Sequence, residues 1–139
     1  MTTNNANKTI KAISELQASI HDGNVQAGWW TDLTTNQDLT KECKQQTRFG
    51  KAIVAEKLCL IHSEVSEAME GARKNLMDDK LKHRQMIEVE LADAVIRILD
   101  LCGALQLDLS GAIEEKLMYN AVREDHKIEN RKSTGGKSY

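Results

Sequence analysis

Two pairs of acidic residues, each three positions apart, are the residues of this sequence best suited to chemistry. Glu64 and Glu67 form the first pair, and Glu90 and Asp93 form the second. Residues three apart share one face of a helix, so each pair presents two carboxylates to the same side. Apolar residues surround both pairs, and a carboxylate is costly to remove from water unless it is paired or bound to a metal ion. The four acids are therefore candidate metal ligands and catalytic groups.

A ligand set made only of oxygen favours a hard cation, magnesium or manganese, over zinc or copper. Magnesium held by carboxylates usually keeps coordination sites for water and for substrate phosphates. A later stretch supplies the opposite charge, because Lys116, Asn120 and Arg123 fall on one side of a predicted helix. Lysine and arginine suit phosphate oxygens. The chemistry that fits is in-line attack of water on a magnesium-held triphosphate.

Two other kinds of site are excluded by spacing. Di-iron helical bundles combine glutamates with Glu-x-x-His motifs, and none of the four histidines follows a glutamate by three positions. The run 135–138, Gly-Gly-Lys-Ser, looks like the end of a phosphate-binding loop. That loop needs a glycine five positions before the second glycine, where this chain has Arg131.

The elements that must position these residues are helices. The chain has no proline and 8 glycines, a composition typical of an all-α protein. Apolar spacing predicts helices over 8–22, 50–74, 81–103 and 109–127, with Gly23 and Asp108 as caps. We expect one domain over 1–139, with a four-helix bundle-type core, an irregular N-terminal segment at 25–48, and flexible tails at 1–7 and 131–139.

The apolar pattern also predicts which faces are buried. The core face of the helix over 50–74 is predicted to consist of Val54, Leu58, Ile61, Val65, Ala68 and Met69. The next helix is apolar on all sides except one narrow strip. The strip consists of Glu90, Asp93, Arg97 and Asp100. Either this strip is an acidic site, or it is the solvent face of the helix.

Trp29 and Trp30 stand side by side in the irregular segment and supply much of the aromatic content, which is only 4%. Large aromatic residues usually pin a loop to the core. The alternative is a stacking wall for a flat ligand, because every nucleobase presents a π-face.

Charge and cysteine content limit the class of protein. The formal net charge is −2, from 19 basic and 21 acidic residues, which does not suit a nonspecific nucleic-acid binder. The polar N-terminus is not a signal peptide, and no apolar run reaches membrane-spanning length. Cys43, Cys59 and Cys102 are widely spaced and are expected to be reduced thiols in a cytoplasmic protein.

The ordered set Glu64-x-x-Glu67, Glu90-x-x-Asp93 and Lys116-x-x-x-Asn120-x-x-Arg123 resembles the MazG-like all-α nucleoside triphosphate pyrophosphohydrolases. The resemblance covers about 50–132, including the closing run from Asn120 to Arg131.

The resemblance implies magnesium-dependent cleavage between the α- and β-phosphates, which gives a monophosphate and pyrophosphate in nucleotide-pool housecleaning. It implies a homodimer or homotetramer. The four acids would hold the metal, and Lys116, Asn120 and Arg123 would contact phosphates. It also favours base contact by Trp29 and Trp30, with Trp30 the better candidate.

One departure from the family pattern is Ser63, which replaces the leading glutamate of Glu-Glu-x-x-Glu. It leaves the general base open between the four acids and water activated by the metal. Two other functions stay open, namely a non-catalytic helical oligomerisation module and a phosphoribosyl-nucleotide pyrophosphohydrolase of the same superfamily.

Overall fold

A computed structural model describes residues 3–137, with side chains for residue 8 and for 10–137. Within that range the chain forms helices and no strand, apart from two isolated bridges, which confirms the all-α prediction. The helices are α1 Thr3–Gln26, α2 Leu39–Lys44, α3 Arg48–Lys74, α4 Met86–Ala104, α5 Leu109–Val122 and α6 Ile128–Lys132. None of the helices in this part of the chain combines the length and apolar character that a membrane crossing needs.

Side-chain caps fix several helix ends. Thr47 accepts a hydrogen bond from the backbone N–H of Gly50, and Asp38 caps α2 in the same way. The side chain of Asp108 accepts from the N–H of Gly111, which confirms the predicted cap of α5. Asn75 ends α3 in the left-handed conformation, with φ 53°.

Several predicted helix boundaries were wrong, among them the start of α1, which begins at Thr3 rather than at residue 8. Helix α1 continues through Gly23 to Gln26, because glycine inside a helix costs only about 1 kcal/mol. Helix α4 begins at Met86 rather than residue 81, because Asp78 accepts from the backbone N–H groups of Lys80 and Leu81 and holds the linker as a turn.

The last predicted helix, over 109–127, is divided into α5 and a 3₁₀ turn, and α6 lies beyond its predicted end. Helix α5 ends at Val122, a 3₁₀ turn covers Glu124–His126, and α6 follows. Of the predicted tails, residues 1, 2, 138 and 139 lie outside the described residues. The side chain of Lys137 forms an ion pair with Asp125, 2.6 Å apart.

The chain divides into two compact units. The larger is Glu15–Leu107, in which α3 and α4 are the principal packed pair and α2 packs against both. The smaller contains the described residues of Met1–Ser14 and Asp108–Tyr139. The core of the larger unit is built from Trp30, Cys43, Ile53, Leu101 and Ala104.

The close approach of α3 to α4 depends on Gly71. A Cβ atom added at Gly71 would lie 2.9 Å from side-chain atoms of Met86. This contact fixes the level at which the two helices face each other, and therefore which residues of α3 and α4 meet.

The predicted burial of these two helices was partly wrong. Ala68 is buried, but Leu58, Val65 and Met69 of the predicted core face are exposed. On α4 the acids Glu90 and Asp100 are buried instead. Four large apolar residues of the same helix are exposed, namely Leu91, Val95, Ile96 and Ile98. Two acids of the polar strip, Glu90 and Asp100, therefore face the protein, and the strip as a whole is not the solvent face.

Gly50→Ala is expected to destabilise the fold, whereas Gly23→Ala is not. A Cβ at position 50 would lie 2.1 Å from the carbonyl oxygen of Glu42, a backbone atom that cannot move away cheaply. Such overpacking costs about 1–3 kcal/mol. A Cβ at position 23 meets nothing within 4 Å and gains helix propensity, so we expect a change between zero and about 1 kcal/mol of stabilisation. Urea unfolding of both variants measures the difference, and equal stabilities would contradict it.

Candidate functional site

Three of the four predicted acids come together between α3 and α4. One carboxylate oxygen from each of Glu64, Glu90 and Asp93 lies within 4.8 Å of the other two. Glu64 is 6% exposed and Glu90 is 9% exposed, while Asp93 is more open to solvent. Ionised carboxylates so close and so poorly hydrated repel one another, and their arrangement suits a cation with oxygen ligands.

Glu67 lies outside this three-residue cluster. Its side chain is exposed and accepts a hydrogen bond from the hydroxyl of Ser63, at 3.1 Å. Its negative charge still reaches the cluster, because it contributes to raising the pKa of Glu90. The predicted role of Glu67 as a metal ligand stays a prediction.

The electrostatics of the cluster show an excess of negative charge. Burial, a hydrogen bond to Glu64 and the nearby acids raise the pKa of Glu90 to about 7. Burial and Glu64 also raise the pKa of Asp93, while the charge of Arg97 acts in the opposite direction. A carboxyl group that holds its proton near neutral pH, beside two other acids, is a group that a divalent cation can deprotonate.

Arg97 provides the cationic partner of the cluster. Its Nε donates to Oε1 of Glu64 at 2.6 Å, and this ion pair joins α3 to α4. The guanidinium of Arg97 is partly exposed and also lines the adjoining cleft. Arg97 is therefore a cationic side chain that borders both the cluster and the cleft.

The cleft beside the cluster has a volume of about 650 Å³. It lies within the larger unit and extends along α4 from Asp93 past Arg97 to Asp100. Apolar and aromatic side chains form much of its wall, namely Trp29, Leu39, Phe49, Ile53, Leu60 and Ile96. Lys57 adds a positive charge. A cleft that combines flat apolar walls with convergent polar groups is typical of a small-molecule site.

The two tryptophans have different environments. Trp30 is 2% exposed, belongs to the core, and donates from Nε1 to Oδ1 of Asp100 at 2.8 Å. Trp29 is 68% exposed and lines the cleft. The structure therefore favours the loop-pinning alternative for Trp30, and Trp29 becomes the better candidate for stacking on a base.

The basic residues predicted to contact phosphates lie in the smaller unit. Lys116 and Arg123 both lie over the ring of Tyr119, at 5.0 and 5.5 Å from its centre. Arg123 also makes two hydrogen bonds to the carboxylate of Asp125, at 2.9 and 2.6 Å. Oδ1 of Asn120 is buried with no hydrogen-bond partner among the described residues. Their contact with phosphates stays a prediction.

Comparison with known proteins found no matching family model, curated protein or solved structure. Inferences about function therefore rest on the residues of this chain and their arrangement.

Sequence reasoning gave no functional role to several residues that line the cleft. The sequence does indicate that Arg97 and Asp100 belong near the site, because they continue the strip of Glu90 and Asp93 at helical spacing. Lys57 stands seven residues before Glu64 and so shares its side of α3. Phe49 gave no signal, because its position in the cleft depends on packing.

Replacing each tryptophan with phenylalanine separates the two environments. Trp30→Phe removes a hydrogen bond to a buried carboxylate, so we expect a loss of about 2 kcal/mol of unfolding free energy. Trp29→Phe changes an exposed ring, and its effect is expected to stay within about 0.5 kcal/mol. Thermal and urea unfolding measure both effects. A larger loss for Trp29→Phe would contradict the assignment of Trp30 as the anchor.

Proposed function

We propose that this protein is a magnesium-dependent nucleoside triphosphate pyrophosphohydrolase of the MazG-like type, which converts a (deoxy)nucleoside triphosphate to its monophosphate and pyrophosphate. The observation that carries the proposal is the convergence of Glu64, Glu90 and Asp93. Asp93 also lines the aromatic-walled cleft, so it joins the cluster to the cleft. The ordered sequence motifs support it independently.

The donor set fits a magnesium ion. All three groups offer oxygen, two are buried, and their mutual repulsion is relieved only in part by Arg97. When bound, magnesium would supply Lewis-acid polarisation of phosphate oxygens and would activate water. Glu64, Glu90 and Asp93 would hold it, with Glu67 as a further candidate on the exposed side.

The other residues of the larger unit have separate roles in this proposal. Trp29 and Phe49 would bind the base between flat walls, which also exclude water from the cleft. Arg97 would pair with the substrate phosphates once the metal occupies the carboxylates. Glu67, exposed beside the cluster, is a candidate to take a proton from the attacking water.

Lys116, Asn120 and Arg123 remain our proposed phosphate contacts, supported by their residue types and by their match to the family motif. The described cysteines are all free thiols, which supports our proposal of a cytoplasmic protein.

Incubation with magnesium and a panel of nucleoside triphosphates and phosphoribosyl-nucleotides tests the proposed function. We expect a monophosphate and pyrophosphate as products. Release of orthophosphate, or no turnover of any compound, would refute it. Turnover of the phosphoribosyl compounds alone would assign the protein to biosynthesis.

A second function, a self-associating helical module, is favoured by the exposed apolar residues of α3 and α4. Leu58, Val65, Met69, Leu91 and Val95 are all open to solvent in the single chain. We propose that a second copy covers them, as in a homodimer or homotetramer, whether or not the protein is an enzyme.

Sedimentation equilibrium of the wild type is expected to give at least twice the chain mass. Val65→Asp would place a charge in the proposed contact and is expected to shift the protein towards the monomer. Glu56→Asp, on the same helix, is a control that adds no charge. A monomeric wild type at micromolar concentration would contradict the proposed self-association.

A further inference from the structure

Asp100 is a buried carboxylate in the wall of the cleft and has no role in the proposed metal site. It is 6% exposed, and it lines the same cleft as Asp93. The two residues are seven positions apart on α4, which places them on one side of the helix about 10 Å apart. That distance is comparable to the length of a nucleoside from its 5′ oxygen to the far edge of its base.

The hydrogen bonds of Asp100 involve only one of its oxygens. Oδ1 accepts from Nε1 of Trp30 and pairs with Nδ1 of His21, each at 2.8 Å. No group in the described part of the chain bonds to Oδ2. Oδ2 is not fully enclosed by protein, and the side chain that carries it lines the cleft. Buried polar groups in folded proteins nearly always have partners, and a carboxylate can accept several hydrogen bonds.

The neighbours of Asp100 hold this carboxylate in place. Trp30 is packed in the core and His21 contacts its ring edge-on, with ring centres 5.7 Å apart. Gly103 leaves room for His21, since a Cβ there would lie 2.5 Å from the Cβ of His21. The Asp100 carboxylate is therefore a fixed group in the wall of the cleft that Trp29 and Phe49 also line, and Oδ2 is its unpaired acceptor.

We propose, on the basis of the proposed function, that Asp100 selects a nucleobase that carries an exocyclic amino group. Cytosine and adenine offer an N–H donor at the edge where uracil, thymine and hypoxanthine carry a carbonyl oxygen. A carboxylate accepts from the amino group and repels the carbonyl. The imino N–H of uracil lies between two carbonyl oxygens, so a carboxylate that approaches it meets an oxygen. Asp100 is a specificity-determining residue. It acts on the base and takes no part in binding the metal, which is the role of the acidic cluster.

Calorimetric titration of the full chain tests this inference with matched pairs of nucleotides. The probes are the α,β-imido triphosphates of deoxycytidine and deoxyuridine with magnesium, and the same pair of deoxyadenosine and deoxyinosine. We expect each amino-bearing member to bind about 10-fold or more tightly than its carbonyl partner. Equal binding, tighter binding of the carbonyl members, or no binding by any probe would overturn the inference.

Asp100→Asn is the diagnostic variant. Its amide oxygen can still accept from Trp30, while its NH₂ group places a donor in the cleft. The ratio of cytosine to uracil affinity is expected to fall to one or below. His21→Gln removes a partner of Oδ1 and leaves Oδ2 unchanged, so it should lower stability but keep the wild-type ratio. A wild-type ratio in folded Asp100→Asn would overturn the inference. If Asp100→Asn does not fold, the inference is tested by the affinity ratios of the wild type and of His21→Gln. Ratios near one in both proteins would overturn it.

The two proposals fail in different ways. Base-selective binding without release of pyrophosphate would refute the proposed function and leave the role of Asp100 intact. Release of pyrophosphate at equal rates from cytosine and uracil nucleotides, with equal affinities, would refute the role of Asp100 alone.

Discussion

Glu90→Gln is expected to lower the magnesium-dependent rate of triphosphate hydrolysis by about 1,000-fold or more. Glu90 is the most central acid of the cluster, since its pKa is raised by burial and by Glu64, Glu67 and Asp93 together. Replacing its carboxylate by a neutral amide removes a charged ligand from the metal site. Loss of about 4 kcal/mol of transition-state stabilisation, the scale of metal-ion catalysis, corresponds to that factor.

Glu88→Gln is the matched control. Glu88 lies two residues away on α4, is exposed, and pairs only with Arg84 at the surface in the described structure, at 2.7 Å. Its removal should change the rate less than about twofold, because exposed ion pairs contribute little. Steady-state rates at saturating magnesium compare the two variants. Retained activity in Glu90→Gln, with an unchanged circular dichroism spectrum, would remove Glu90 from the metal site.

The metal-free protein is expected to lose stability as the pH rises from about 5 to about 8. The pKa of Glu90 is raised from 4.5 to about 7 in the folded chain, so between these values the native state binds more protons than the unfolded chain. Unfolding free energy therefore decreases with increasing pH across that interval. A shift of this size corresponds to about 3 kcal/mol. The raised pKa of Asp93 acts in the same direction.

Urea unfolding in a metal chelator at several pH values measures this dependence. Glu90→Gln cannot ionise at this position, so it should match the wild type near pH 5 and exceed it in stability at pH 8. Magnesium at pH 8 should restore the wild type, because the cation replaces the lost proton, and should have much less effect on the variant. A wild type whose metal-free stability rises between pH 5 and 8 would contradict the assigned protonation of Glu90.

The sequence predicted the helical class and which acids share a helix face, because both depend on local spacing. It did not predict which side of α4 is inside. Periodicity shows that the helix has a polar strip and an apolar surface. The apolar surface of a helix usually faces the core, so this surface is the one expected to be buried. Here Glu90 and Asp100 of the strip are buried. The strip faces the protein because Arg97 pairs with Glu64, and because Trp30 and His21 bond to Asp100. Those partners come from distant positions in the chain, so no local pattern contains them.

The same reasoning explains the different outcomes for Glu64 and Glu67. Their spacing places them on one side of α3, but the rotation of α3 against α4 decides which one meets Glu90. That rotation depends on packing contacts such as that of Gly71 with Met86, which composition and periodicity do not predict. The sequence likewise does not predict that Trp30 is buried and Trp29 exposed, since adjacent residues in an irregular segment give no indication of which one points inward.

Helix α4 carries Asp93, Arg97 and Asp100 on one continuous, unbroken element. The distances and directions between these side chains are therefore set by the geometry of the α-helix, which rises about 1.5 Å and turns about 100° per residue. Inserting or deleting one residue between Asp93 and Asp100 would turn Asp100 out of the cleft. It would not simply change the distance between the two side chains by a small amount. Substrate specificity can therefore change by substitution at these positions, or by an insertion or deletion of a whole helical turn. A shift of Asp100 along α4 by a single residue would remove it from the cleft.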